Sequence, residues 1–114
     1  MSESKIYSFI GLARKAGAVS AGELAAENAL RHGKAFYVII ASDASQNTVK
    51  KFTDYCGTRK VKAVRFGSKN GLGDILGREM YSVIAITDRR FSDRIEEMID
   101  IESKHKNSDN TVNG

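Results

Sequence analysis

"AFYVIIA", residues 35–41, is a nearly continuous apolar run, rich in β-branched and aromatic side chains. A strand with one wet face alternates apolar and polar residues. An unbroken run fits a strand buried on both faces. The same signature returns in "YSVIAIT", residues 81–87. "VKAVRF", residues 61–66, alternates apolar with basic residues and reads as a third strand with one wetter face. A short fourth strand is expected over about residues 18–20.

Around these strands the spacing is helical. Residues 4–16 place Ile6, Phe9, Ile10 and Ala13 on one face, with Gly17 as a natural stop. A second helix is predicted over 22–32, ending at Gly33. Ser45 is the expected cap of a helix over 46–57, where Val49, Phe52 and Cys56 recur at i, i+3 and i+7. Ser68 can cap a helix over 69–76 that stops at Gly77. Asp88 can cap a last helix with Phe91, Ile95, Met98 and Ile99 as its stripe. The order α-β-α-β-α-β-α-β-α predicts an α/β domain, a sheet sandwiched between helices. With no proline, the turns rely on Gly, Asn, Asp and Ser. No repeat or linker divides the chain, so residues 1–102 are expected to form one domain. The segment "SKHKNSDNTVNG", residues 103–114, is polar and without periodicity, and is expected to be a disordered tail.

The chain has 114 residues, 41% hydrophobic and 28% charged, ordinary values for one globular domain. No apolar run approaches the roughly 20 residues that cross a bilayer. The start, MSESKIYSF, shows no apolar segment of a secretory signal, so a cytoplasmic location is expected. A single cysteine, Cys56, excludes an internal disulfide framework and a cysteine zinc cluster. The net charge of +4 is unevenly divided. Residues 1–87 hold 13 Lys/Arg against 7 Asp/Glu, while residues 88–114 hold 5 against 7. The basic body can attract nucleic acid or an anionic membrane surface, or serve solubility alone.

Catalytic patterns are weak. "GLGDILG", residues 71–77, has its last glycine one position too late for a dinucleotide fingerprint, where Leu76 stands. Cys56 lies on an apolar stripe, with His32 and His105 tied to it by no motif. Metal-ligand spacing is lacking, and Glu96–Glu97 belong on a solvated helix face. No enzyme activity, cofactor or metal is expected.

The basic residues say more. Arg14 and Lys15 end the first helix, Arg31 and Lys34 flank the end of the second, and Lys69 opens the fourth. Few aromatics accompany them, which disfavours a stacking platform for single-stranded bases. Helix ends and loops that read shape and phosphate fit better. On the second helix Leu24, Glu27, Asn28 and Arg31 share one side, opposite Ala26, Ala29 and Leu30. Ser20-x-x-Glu23 fits a capping box, which leaves Glu23 open to two roles, cap or contact. Gly22 would let another backbone come close to the first-turn amides.

"GLARKAG" with "SAGE", "IIASDASQNT", "KNGLGDILG" and "SVIAITD" together resemble the YlxQ-type bacterial proteins of the kink-turn-binding ribosomal-protein superfamily. The resemblance spans about residues 5–100. It implies a three-layer α/β/α sandwich around a mixed four-stranded sheet, binding RNA without catalysis. In the superfamily a Gly opens the second helix, followed by an Asn-Glu-x-x-Lys signature that reads tandem sheared G·A pairs in a kinked stem. The Gly corresponds to Gly22, but the Asn, Glu and Lys positions are Leu24, Ala25 and Asn28. Leu24 and Ala25 offer no side-chain hydrogen bonds to base edges, so readout of G·A pairs is weakened. A basic residue before the closing Gly is replaced by His32; Ser45, Val49 and Lys69 fall at matching places. "REMYS", residues 78–82, matches a loop that packs on the RNA.

The expected contact face therefore comprises Gly22, Asn28, Arg31, His32 and Lys69. Lys15 and Lys34 are expected as phosphate neighbours, and Glu23, Ser45, Met80 and Tyr81 as further contacts. The expected partner is structured RNA, ribosomal in origin, bound by a monomer, with no membrane and no small-molecule substrate. The competing expectation is a protein adaptor anchored by Leu24, Met80 and Tyr81 on the same face.

Overall fold

The structure, a computed structural model, describes residues 2–77 and 80–113, with side chains through residue 104. Five helices and four strands alternate along the chain. They are α1 (Glu3–Lys15), β1 (Val19–Ala21), α2 (Glu23–Arg31), β2 (Tyr37–Ile40), α3 (Gln46–Arg59), β3 (Lys62–Arg65), α4 (Lys69–Leu76), β4 (Val83–Ile86) and α5 (Arg89–Asn113).

The two apolar runs become the central strands of a mixed sheet ordered β1-β4-β2-β3. β4 is antiparallel to both β1 and β2, whereas β2 and β3 are parallel. Every residue of β2 and β4 is buried, because both strands have neighbours on each side and helices on each face. Their side chains alternate between two cores. Tyr37, Ile39, Ile84 and Ile86 meet Ile6, Ile10, Leu72, Leu76 and Ile95, from α1, α4 and α5. Val38, Ile40, Val83 and Ala85 meet Ala26, Leu30, Phe52 and Cys56, from α2 and α3. Burying each such large side chain stabilises the fold by about 1.5–3 kcal/mol, so a charge at Ile39 or Ile84 would break one layer. The molecule is an α/β/α sandwich, as the resemblance implied.

Local signals explain the helix starts. Ser45 and Ser68 accept the backbone N–H groups of Thr48 and Gly71 at 3.2 and 2.9 Å. Asp88 Oδ1 accepts those of Arg90 and Phe91 at 2.9 and 3.2 Å.

One expectation changes. β3 is not a strand with one wet face: Ala63 and Val64 pack on opposite layers. Its exposed Lys62 and Arg65 reflect its edge position, where cations discourage pairing with another strand. Helix α5 continues to Asn113, into the polar segment beginning at residue 103. No Gly or Pro occurs in 80–113 to stop it. Among the described side chains its last core contacts are Met98 and Ile99, and Ile101 is already exposed.

Candidate functional site

β1, β2 and β3 finish at one end of the sheet, where β4 begins, as the pairings Ala21↔Ile84, Ile40↔Val83 and Ile40↔Arg65 show. Each finished strand leads directly into a helix, so the N-termini of α2, α3 and α4 converge there. Backbone bonds lace the connecting loops together. Gly22 N–H donates to Val83 O at 2.8 Å, and Tyr81 N–H donates to the Lys69 carbonyl at 3.1 Å. Ala41 N–H donates to Ser82 O and Ser42 N–H to Gly67 O, both at 2.8 Å. Lys69 N–H donates to Asp43 Oδ1 at 2.9 Å. The result is a preformed surface.

The N-cap of α2 is Gly22, with φ 100° and ψ 161°, and no side chain closes that end. Its first-turn amides therefore keep their donor capacity and the positive end of the helix dipole. The ring of Tyr81 lies where a Gly22 Cβ would meet it, at 3.5 Å. The capping-box reading of Ser20 and Glu23 does not hold, because Ser20 is inside β1 opposite Ala85. Glu23 instead ends a short relay. Ser45 Oγ donates to Thr48 Oγ1 at 3.0 Å, and Thr48 Oγ1 donates to Glu23 Oε2 at 3.4 Å. This relay joins the starts of α2 and α3. Thr48 is buried, whereas Glu23 and Ser45 are exposed.

Gly22, Glu23, Ser45, Lys69, Met80 and Tyr81 thus meet at one end of the sheet. The rest of the "REMYS" stretch includes Arg78 and Glu79, which lie outside the described residues. Leu24, 72% exposed, and Met80, 53% exposed, add apolar surface to the rim. Free amides, a hydroxyl–carboxylate relay and exposed apolar groups can together hold a phosphate, a base edge and a base face.

The other expected contacts lie elsewhere. Asn28 is exposed, one turn along α2, and its carbonyl oxygen is 2.8 Å from His32 Nδ1. Arg31, His32 and Lys34 stand beyond, at the opposite end of the sheet. Glu27 is shared by Arg31 at 4.0 Å and Lys51 at 3.5 Å. Lys15 borders a groove of about 540 Å³ between α1 and α4, with Leu12 and Ile75. One expected face is thereby divided in two.

Two residues that sequence reasoning passed over shape the site. Thr48 could have been found three places after the cap Ser45, but its bond to Glu23 crosses 25 positions. Tyr7 accepts the Ser68 N–H at 3.0 Å, and its ring fills the space beside Gly67 and Gly71. The glycine at the head of "GLGDILG" therefore serves the packing of α1 on α4, where a pyrophosphate would need room. Cys56 is buried, and burial pushes its thiol up to about 11, away from nucleophilic use.

A mixed sheet between two helical layers, with three helix starts gathered at one end, defines a class, and the comparisons place the chain in it. The profile of the ribosomal protein L7Ae/L30e/S12e/Gadd45 family matches residues 4–96, and the chain belongs to that family. It is similar to the RNA-binding protein YlxQ of Bacillus subtilis (strain 168), 35% identical over 100 residues, covering 88% of this chain and 100% of that one. The RNA-binding protein YlxQ of Enterococcus faecium is 32% identical over 96 residues, covering 84% and 92%. Among solved structures, a protein of unknown function from Bacillus halodurans C superposes with a TM-score of 0.80 at 33% identity, covering 84% and 97%. The Giardia lamblia 15.5kD RNA binding protein shares the fold, with a TM-score of 0.72 at 24% identity, covering 87% and 88%.

Proposed function

We propose that this protein binds structured, ribosome-associated RNA without catalysis, using the sheet end where α2, α3 and α4 begin. The supporting observation is the uncapped start of α2 behind Gly22, flanked by the Ser45–Thr48–Glu23 relay and by Tyr81. The names of the YlxQ relatives agree with this reading. At the signature positions Leu24 and Ala25 contribute apolar contact, while Glu23 and the α2 amides contribute polar contact. The target is accordingly a variant of the kink-turn rather than a standard one. The protein acts as a cytoplasmic monomer and needs no cofactor, metal, membrane or small-molecule substrate.

The exposure of Leu24 and Met80 favours a second reading, a protein adaptor on the same face. Binding of a labelled RNA hairpin with tandem G·A pairs separates the two. Lys69→Ala and Thr48→Val should each weaken it several-fold, with a marked loss of affinity as salt rises. Unchanged affinity in both variants, at low salt, would sink the proposed face. A partner protein lost on Leu24→Asp, with RNA affinity intact, would favour the adaptor.

A further inference from the structure

We propose that the opposite end of the sheet is a second RNA surface, which grips the phosphate backbone of another RNA segment; this rests on the RNA-binding reading above. There α2 and α3 finish, β2 and β3 start, and β4 leads into α5. Lys34, Arg59, Lys60, Arg89 and Arg90 are all exposed at this end. Among the described residues, none of the five has a carboxylate within 4.0 Å. The nearby Asp88 carboxylate is engaged with the Arg90 and Phe91 amides.

Two of these guanidinium groups are held in place. Arg89 lies 4.8 Å from the centre of the Phe36 ring. Arg59 lies 4.1 Å from that of Tyr55, and its Nε donates to Leu30 O at 3.1 Å. Placed cations lose less side-chain entropy when a phosphate arrives.

Helix stability accounts for only part of this charge. Arg59 and Lys60 close α3, where cations suit the negative end of the dipole. Arg89 and Arg90 open α5, where the dipole disfavours them. Their placement costs the helix and is explained by a polyanion outside it. An acidic protein partner fits less well, since such interfaces centre on an apolar anchor. Here the exposed ring, Phe36, is covered by Arg89. A phosphate backbone needs only the charges. The α2 helix alone separates the two ends by about 12 Å, and they face away from each other, so each takes its own RNA segment.

The test uses the full chain and three probes: the tandem G·A hairpin, a plain RNA duplex of about 16 base pairs, and polyglutamate. The triple variant Lys34→Ala/Arg89→Ala/Arg90→Ala should melt no lower than the parent, since none of these side chains supports the core and the two arginines oppose the α5 dipole. Its affinity for the plain duplex should fall about tenfold or more at low salt. The slope of log affinity against log salt should become shallower by about 2–3. If that affinity and slope are unchanged while Lys69→Ala still weakens the hairpin, the second surface is wrong and the first stands. If the wild-type chain binds neither RNA, the RNA-binding reading fails and takes this proposal with it. If the triple variant loses only a polyglutamate probe, the surface is for acidic protein and the proposal is overturned.

Discussion

Gly22 holds a backbone conformation, φ 100° with ψ 161°, that essentially only glycine adopts at low cost. Gly22→Ala should therefore destabilise the fold by about 1–3 kcal/mol, read as a lower urea midpoint. The new methyl would only touch the Tyr81 ring, at an ordinary 3.5 Å, so any fall in affinity for the hairpin should come from the strained turn. A variant as stable as the parent would show that this turn relaxes freely. The importance of Gly22 was legible in the sequence, because a glycine just before a helix pattern marks a special backbone position. The role of Glu23 was not. Its choice between cap and contact depended on whether Ser20 lay outside the helix or inside a strand, and pairing with Ala85 decided that. Thr48 was hidden for a related reason: its hydroxyl bonds a residue on another helix.

Elements were easier to foresee than their edges. Caps at Ser45, Ser68 and Asp88 act within three residues, so local sequence determines them. β3 was misjudged because alternation of apolar and basic residues suggests a wet face, whereas sheet order places this strand at an edge. Helix α5 raises a different question. Among the described side chains its core contribution ends at Met98 and Ile99, and the sequence beyond Ile101 offers no apolar stripe. A polar helical segment of this length is marginal alone, so residues 1–102 are proposed as the folding and binding unit. A chain stopped after Glu102 should keep its unfolding free energy within about 0.5 kcal/mol and its RNA affinity unchanged. A loss well above that would show that the extension packs on the domain.

On the scale of the whole molecule, one sheet separates two chemically different ends. One end presents helix N-termini, the Glu23 relay and apolar rims; the other presents Lys34, Arg59, Lys60, Arg89 and Arg90, none with a carboxylate within 4.0 Å among the described residues. Because the ends share no contact, Lys69→Ala and the triple variant at Lys34, Arg89 and Arg90 should act independently. For an RNA long enough to reach both ends, their effects should add within about 0.3–0.5 kcal/mol when combined. A larger discrepancy in the measured affinities would mean that the two ends are one coupled site. By itself the sequence determined the order of elements, the two central strands, most caps and the basic character of the body, since each depends on periodicity, nearby side chains or composition. Only the tertiary structure decided which residues share a face. Gly22 and Arg31 bound one short helix, and laying that helix along the sheet puts them at its opposite ends. Glu23 and Thr48 are far apart in the chain, yet packing of α2 beside α3 brings them within a hydrogen bond.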